Sequence, residues 1–169
     1  MVMREELASP AIAQEPQEVE IDSVRMGRRQ DGAEWRLQLR GRHTLVVGCS
    51  GSGKGSILWN VCGGLAPAVK ADLVRLWGVD LKKGVEIGMG RGLFHATADD
   101  MLTAIMCLAR LLDVVDERGR RMAGITRLHE PAPGDPLHVL VIDELAALIG
   151  YSDPDLKREA TRLLSIILT

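Results

Sequence analysis

The residues best suited to chemistry form a run of small side chains that ends in a lysine, Gly48-Cys49-Ser50-Gly51-Ser52-Gly53-Lys54. Successive backbone N–H groups can surround a phosphate only where the chain takes conformations that a Cβ atom would obstruct, which accounts for the glycines. The helix expected next would direct the positive end of its dipole at the same phosphates, and Lys54 would add a charge for the β- and γ-phosphates. The run, extended through Gly55 and Ser56, is therefore a candidate nucleotide-binding loop.

The residue after Lys54 departs from the usual pattern of such loops. A Ser or Thr hydroxyl that holds Mg²⁺ normally stands there, whereas this chain has Gly55 and places a hydroxyl one residue later, at Ser56. Either Ser56 becomes a metal ligand through a shifted first turn of the helix, or a water molecule fills that position. The sequence leaves both possibilities open.

Two adjacent carboxylates, Asp143 and Glu144, follow the apolar run 137–142. Carboxylates at the end of a buried strand are costly to desolvate unless a cation or hydrogen-bond donors meet them. Mg²⁺ suits Asp143, and Glu144 could orient or deprotonate an attacking water, although acids at a helix N-terminus are also common. Together with the loop they predict Mg²⁺-dependent nucleotide hydrolysis, in which Lys54 and Glu144 are catalytic and Asp143 holds the metal.

The elements that must position these residues alternate between strands and helices, which predicts an α/β fold with a parallel sheet. Strands are predicted for short apolar runs at residues 45–47, 73–79, near 93–94 and 137–142, the last apolar enough for a central strand. Helices are predicted over residues 54–66, ended by Pro67; from a capping box of Thr97 and Asp100 to about Gly119; and from Asp153 onward.

Length and composition limit the possible class of protein and its domain organisation. The chain has 169 residues, of which 46% are apolar, so it can form one core, and no apolar run approaches the ~20 residues that span a bilayer. Residues 1–22 are predicted to be a mobile acidic leader, and residues 23–169 a domain that opens with a β-hairpin over 24–39. Three cysteines without metal-ligand spacing indicate reduced thiols, and the 3% of aromatic residues argue against a base-stacking surface.

Three stretches together resemble the motor domain of DNA translocases of the FtsK/SpoIIIE type. They are Gly41-Arg42-His43-Thr44-Leu45-Val46-Val47-Gly48 through Lys54-Gly55-Ser56, Leu76-Trp77-Gly78-Val79-Asp80-Leu81-Lys82, and Val141-Ile142-Asp143-Glu144-Leu145-Ala146-Ala147-Leu148. The Gly-Lys-Gly-Ser variant is most similar to the branch found in conjugative transfer proteins. The resemblance covers about residues 24–169.

The resemblance implies a RecA-like P-loop ATPase core, assembled as a homo-oligomeric ring (usually a hexamer) that moves double-stranded DNA with ATP in conjugative transfer or chromosome segregation. By that analogy the loop 119–136, with Arg120, Arg121 and Arg127, is a candidate DNA-facing element, and the location is cytoplasmic, with membrane association only through other regions or a partner. In members of the family the chain continues into a further strand that carries a polar sensor residue. In the sheet, that strand lies between the strand before the nucleotide-binding loop and the strand before Asp143. An arginine that reaches the neighbouring subunit's nucleotide follows it in the chain. The expectation is a partial sheet and weak or no hydrolysis by this chain alone.

Three other functions remain as alternatives. A small-molecule P-loop kinase has a similar length, but Glu144 directly after Asp143 suits activation of water, and no arginine-rich lid is evident. A ring ATPase that exports protein would share the same motifs. A non-catalytic remnant would bind ATP weakly or not at all.

Overall fold

The computed structural model describes residues 19–150 and 153–169, so most of the leader predicted over residues 1–22 lies outside the described residues. Among the described residues, no helix combines the length and the apolar character that crossing a membrane requires. The elements, in chain order, are β1 Ser23–Arg28, β2 Glu34–Gln38, α1 Lys54–Lys70, β3 Val74–Val79, a 3₁₀ segment Ile87–Leu93, β4 Phe94–Ala98, α2 Met101–Met122, β5 Leu137–Ile142, α3 Leu145–Ile149 and α4 Pro154–Ile167. The α/β class and the N-terminal hairpin are confirmed.

The main sheet is parallel and has the strand order β4-β3-β5. The central strand is therefore β3, and the expectation that residues 137–142 form a central strand is wrong. All six residues of β5 are half-buried. Alternate β5 side chains pack into the cores on the two faces of the sheet, which explains why an edge strand is apolar throughout.

The strand predicted at residues 45–47 is also wrong. These residues form no regular secondary structure and pair with no strand among the described residues, and Leu45 and Val47 are 71% and 85% exposed. Among the described residues no strand lies beside them, and an apolar run cannot persist as a strand unless its backbone N–H and C=O groups find partners.

Two helix boundaries differ from expectation. Helix α1 continues beyond Pro67 to Lys70, because Leu65 and Ala68 on either side of the proline are fully buried and their packing outweighs one lost hydrogen bond. The capping box of α2 lies three residues later than predicted: Asp100 is the N-cap, accepts from the Thr103 N–H at 2.9 Å, and Thr103 returns a bond to the Asp100 N–H. Thr97 belongs to β4.

Two cores cover the two faces of the sheet. One packs α2, α3 and α4 against Trp77 and Val79 of β3. The other packs α1 and the β1–β2 hairpin against Val74 and Leu76 of the same strand. Because β3 contributes side chains to both cores, the loops after its last residue start from a rigid position.

Candidate nucleotide-binding site

The candidate residues converge at the carboxyl-terminal edge of the parallel strands, the edge at which open α/β sheets bind ligands. Val79 and Ile142 are the last residues of β3 and β5 and are paired in the sheet. The Asp143 N–H donates to the Val79 carbonyl at 3.0 Å, which extends that pairing by one residue. Asp80 and Asp143 therefore leave the sheet side by side.

The glycine-rich run forms a compact turn that enters α1 directly. Gly51 and Gly53 have φ angles of +75° and +90°, in the left-handed region that favours glycine, and Gly53 is the N-cap of α1. No side chain caps this helix N-terminus, which leaves its first N–H groups available to an anion. The predicted loop–helix arrangement is present, without the strand before it.

Lys54 folds back over the loop. Its Nζ donates to the carbonyl oxygens of Gly48 at 2.6 Å and Cys49 at 2.9 Å. The ammonium group thus lies at the mouth of the turn, where it can exchange these carbonyls for phosphate oxygens. Ser50 and Ser52 are exposed in the same turn, as are Gly51 and Gly53.

The two acids are held differently, although they are adjacent in the chain. The Asp143 side chain is only 10% exposed and its Oδ2 atom accepts no hydrogen bond within the described residues, whereas the Glu144 side chain is 34% exposed. Lys82 reaches both, with Nζ 3.6 Å from Asp143 Oδ2 and 3.1 Å from Glu144 Oε2. A buried carboxylate oxygen without a hydrogen-bond donor is a suitable ligand for a hard cation, so Asp143 fits the role of a Mg²⁺ ligand.

The electrostatic shifts agree with this geometry. The hydrogen bond from Lys82 and its charge lower the pKa of Glu144, and the same bond together with the charge of Asp143 raises the pKa of Lys82. Lys54 is a further, smaller cause of the lowered pKa of Glu144. The charge of the loop lysine therefore contributes to the electrostatic environment of Glu144.

Lys82 belongs to a loop that a buried acid organises, which we call the Asp80 loop (residues 80–87). Asp80 is 1% exposed. Its Oδ1 accepts from the Lys82 N–H at 3.0 Å, and its Oδ2 accepts from the N–H groups of Glu86 at 2.8 Å and Ile87 at 3.1 Å. A carboxylate with three backbone donors is fully used in holding the loop, so Asp80 is a positioning residue.

The Asp80 loop also reaches the start of α1. A Cβ atom on Gly55 would lie 3.1 Å from Glu86 Oε2, so the Glu86 carboxylate occupies the space beside the residue that lacks the usual hydroxyl. Ser56 is exposed, and its role as a metal ligand stays a prediction. The described residues contain no group of three or more His, Cys, Asp or Glu side chains that could hold a metal by themselves. Sequence reasoning missed Glu86, because a lone acid in a loop has no recognisable spacing to Gly55.

Many of the arginines in the hairpin region and near the end of α2 are paired with acids. Ion pairs are formed by Arg25, Arg36 and Arg40 in or beside the hairpin, and by Arg120 and Arg121 near the end of α2. In the same two regions, the exposed arginines without an acidic partner among the described residues are Arg28, Arg29, Arg42 and Arg127.

The parallel sheet with helices on both faces, and the glycine-rich turn that leads into α1, define the class: this is a RecA-like α/β core of the P-loop type. A sequence model of the FtsK/SpoIIIE family matches residues 7–132, so the chain belongs to that family. It is 26% identical to the transfer protein TraSA of Streptomyces ambofaciens, in a match that covers 83% of this chain and 37% of that protein.

The fold is similar to that of the conjugation coupling protein TcpA of pCW3, in its monomer form with ATPγS. That match has a TM-score of 0.62 and 21% identity, and it covers 90% of this chain and 44% of TcpA. The chain therefore spans less than half the length of each relative. The family and these two relatives agree with the sequence-based prediction of an FtsK-type domain of the conjugative transfer branch.

Proposed function

We propose that this domain binds ATP with Mg²⁺ and is the nucleotide-binding part of a conjugative DNA translocase. The observation that carries the proposal is that the Asp80 loop meets both halves of the site, since Glu86 lies beside Gly55 at the start of α1 and Lys82 contacts Glu144 at 3.1 Å. Membership of the FtsK/SpoIIIE family, and a similar fold in a coupling protein described with ATPγS, support it.

Each group has a distinct part in binding. The turn 48–53 and the uncapped start of α1 bind phosphate through backbone N–H groups, and Lys54 neutralises the terminal phosphates. Asp143 holds the metal through its buried Oδ2, and Mg²⁺, when bound, neutralises charge on the β- and γ-phosphates. Lys82 holds the Glu144 carboxylate in place through their contact at 3.1 Å and lowers its pKa.

In the hydrolysis step, an ionised Glu144 orients water and takes its proton as the water attacks the γ-phosphate. The bond between the γ-phosphorus and the bridging oxygen breaks, and ADP leaves with that electron pair beside inorganic phosphate. The lowered pKa of Glu144 is consistent with an ionised carboxylate at neutral pH. In the ring proposed for the complete protein, a homo-hexamer, this step drives double-stranded DNA, which is held through its phosphates and not its bases.

Nucleotide affinity tests the first part directly. The purified chain is titrated with ATP by calorimetry, with Mg²⁺ and with EDTA, beside Lys54→Ala and the control Lys157→Ala on the exposed surface of α4. We expect Lys54→Ala to weaken binding by at least about tenfold, since a charge-assisted hydrogen bond is worth roughly 1.5–3 kcal/mol. Equal binding by the two variants would contradict the proposal.

Salt dependence tests contact with DNA. The predicted loop 119–136 begins later than expected, because α2 continues to Met122. Arg127 is exposed in the loop after α2 and has no acidic partner among the described residues. Replacing it by alanine should reduce the slope of log affinity against log salt by about one for a random duplex. Arg158→Ala, on α4 and paired with Asp155, is the matched control. An unchanged slope in Arg127→Ala removes this residue from the DNA-facing surface.

A further inference from the structure

The start of α1 combines a missing side chain with a carboxylate that fills its place. Residue 55, where loops of this type carry the metal-binding hydroxyl, is a glycine. A Cβ built there would lie 3.1 Å from Glu86 Oε2 and 3.5 Å from both Glu86 Cδ and Oε1. The side chain of another loop therefore brings an oxygen to the space that a Ser or Thr at residue 55 would use.

This position is held by buried structure. The Glu86 N–H donates to Asp80 Oδ2 at 2.8 Å, and the next N–H, of Ile87, donates to the same atom at 3.1 Å. Asp80 and Ile87 are 1% and 2% exposed. The backbone of Glu86 is thus attached to the core on one side and meets α1 on the other.

The Glu86 carboxylate itself has no compensating charge, since it takes part in no hydrogen bond or ion pair among the described residues. A lone anion beside a phosphate-binding loop repels the phosphates unless a cation lies between them. A second carboxylate oxygen, the buried Asp143 Oδ2, lies at the same edge of the sheet and accepts no hydrogen bond among the described residues, although Lys82 Nζ is 3.6 Å away. Mg²⁺ in nucleotide sites is bound by one or two carboxylates together with phosphates and water.

We infer that Glu86 replaces the hydroxyl missing at Gly55, so that its carboxylate holds the nucleotide-bound Mg²⁺, directly or through one of the metal's waters, together with Asp143. The inference rests on the proposed function, because it concerns the same ATP site. It assigns the Asp80 loop two tasks: Lys82 faces the acids after β5, and Glu86 faces α1. By this inference, the effect of Mg²⁺ on ATP affinity depends on the Glu86 side chain and not on the Ser56 hydroxyl.

The test compares ATP affinity in Mg²⁺ with that in EDTA, a ratio that reports the metal's contribution to binding without any turnover. In the wild-type chain, Mg²⁺ should strengthen ATP binding. In Glu86→Ala the ratio should fall at least about fivefold, and affinity in EDTA should be equal or higher because an anion beside the phosphates has been removed. The charge control is Glu159→Ala, on the surface of α4, which should retain the wild-type ratio.

A second variant distinguishes a lost ligand from a damaged loop. Gly55→Ser combined with Glu86→Ala restores the usual hydroxyl in space that the glutamate has vacated, and it should recover most of the ratio. A wild-type ratio in Glu86→Ala, or loss of the ratio in Ser56→Ala alone, would overturn the inference while leaving ATP binding intact. A wild-type chain that binds no ATP in either condition would overturn the proposed function as well.

Discussion

Lys82 Nζ lies 3.1 Å from Glu144 Oε2 and 3.6 Å from Asp143 Oδ2, so one ammonium group faces both acids that follow β5. A divalent metal that binds Asp143 must displace the Lys82 ammonium group or share the Asp143 carboxylate with it. We predict that Lys82→Ala binds Mn²⁺ at least about threefold more tightly than wild type in the absence of nucleotide, because a competing charge is removed. The measurement is a titration of free Mn²⁺ by electron paramagnetic resonance.

Lys83→Ala provides the matched control for Lys82. It removes the same charge from the neighbouring loop position, which forms no ion pair among the described residues. Its Mn²⁺ affinity should equal that of wild type. Mn²⁺ binding that is unchanged or weaker in Lys82→Ala would mean that Lys82 does not occupy the metal's place.

Asp80→Asn should destabilise the fold and detach the loop. The carboxylate accepts three backbone N–H groups in a position that is 1% exposed, and an amide replaces one acceptor oxygen with a donor that faces donors. We expect the free energy of unfolding to fall by about 2–4 kcal/mol, as measured by urea denaturation.

The control for Asp80→Asn is Asp72→Asn. Asp72 also accepts a backbone N–H, from Gly134 at 2.8 Å, but it does so at the surface and at a φ of +55° that asparagine tolerates well. Its loss of stability should be much smaller. Similar losses in the two variants would contradict an organising role for Asp80.

Stability should decrease in mild acid because of His138. This imidazole lies in β5 and accepts a hydrogen bond on Nδ1 from Trp77 Nε1 at 2.8 Å, and burial, followed by nearby arginines, lowers its pKa to about 4. Between pH 6.5 and 4 the unfolded chain binds a proton there that the folded chain does not. Lowering the pH through this window therefore reduces the free energy of unfolding, and the full contribution is present above pH 6.5.

We expect this loss to be about 1–2 kcal/mol, after allowance for solvent screening of a partly exposed ring. Urea denaturation at several pH values measures it. His138→Gln keeps an acceptor for Trp77 but cannot be protonated, so its stability should vary less with pH. Parallel curves for the two proteins would contradict the assignment to His138.

Hydrogen exchange should separate the unpaired run from the sheet. The backbone N–H groups of residues 45–47 make no hydrogen bond within the described part of the chain, whereas those of β3 lie in the sheet centre. We expect the former to exchange within seconds at neutral pH and the latter to be protected by orders of magnitude. Comparable protection would show that residues 45–47 have found a partner in solution.

Local sequence patterns predicted those helices and strands whose alternation, apolar runs and capping residues lie entirely within the element itself. The hairpin, β3, the bounds of β5 and the cap of α4 at Asp153 follow from alternation, apolar runs and capping residues, and all are present. Residues 45–47 carry the same apolar signal and form no strand, because pairing depends on a neighbour that composition does not reveal. Pro67 likewise ends no helix, since burial of Leu65 and Ala68 outweighs a local preference.

The sequence by itself indicated the candidate nucleotide-binding loop and the acid pair, because a glycine-rich run that ends in lysine and adjacent carboxylates after an apolar run are recognisable within a few residues. It also exposed the anomaly at Gly55. Only the tertiary structure showed that the Glu86 side chain lies beside Gly55. The pairing of β3 with β5 brings the Asp80 loop beside Asp143, and the loop carries Lys82 to the acids and Glu86 to α1. Contacts across 30 to 60 residues depend on sheet order and register, which no local pattern encodes.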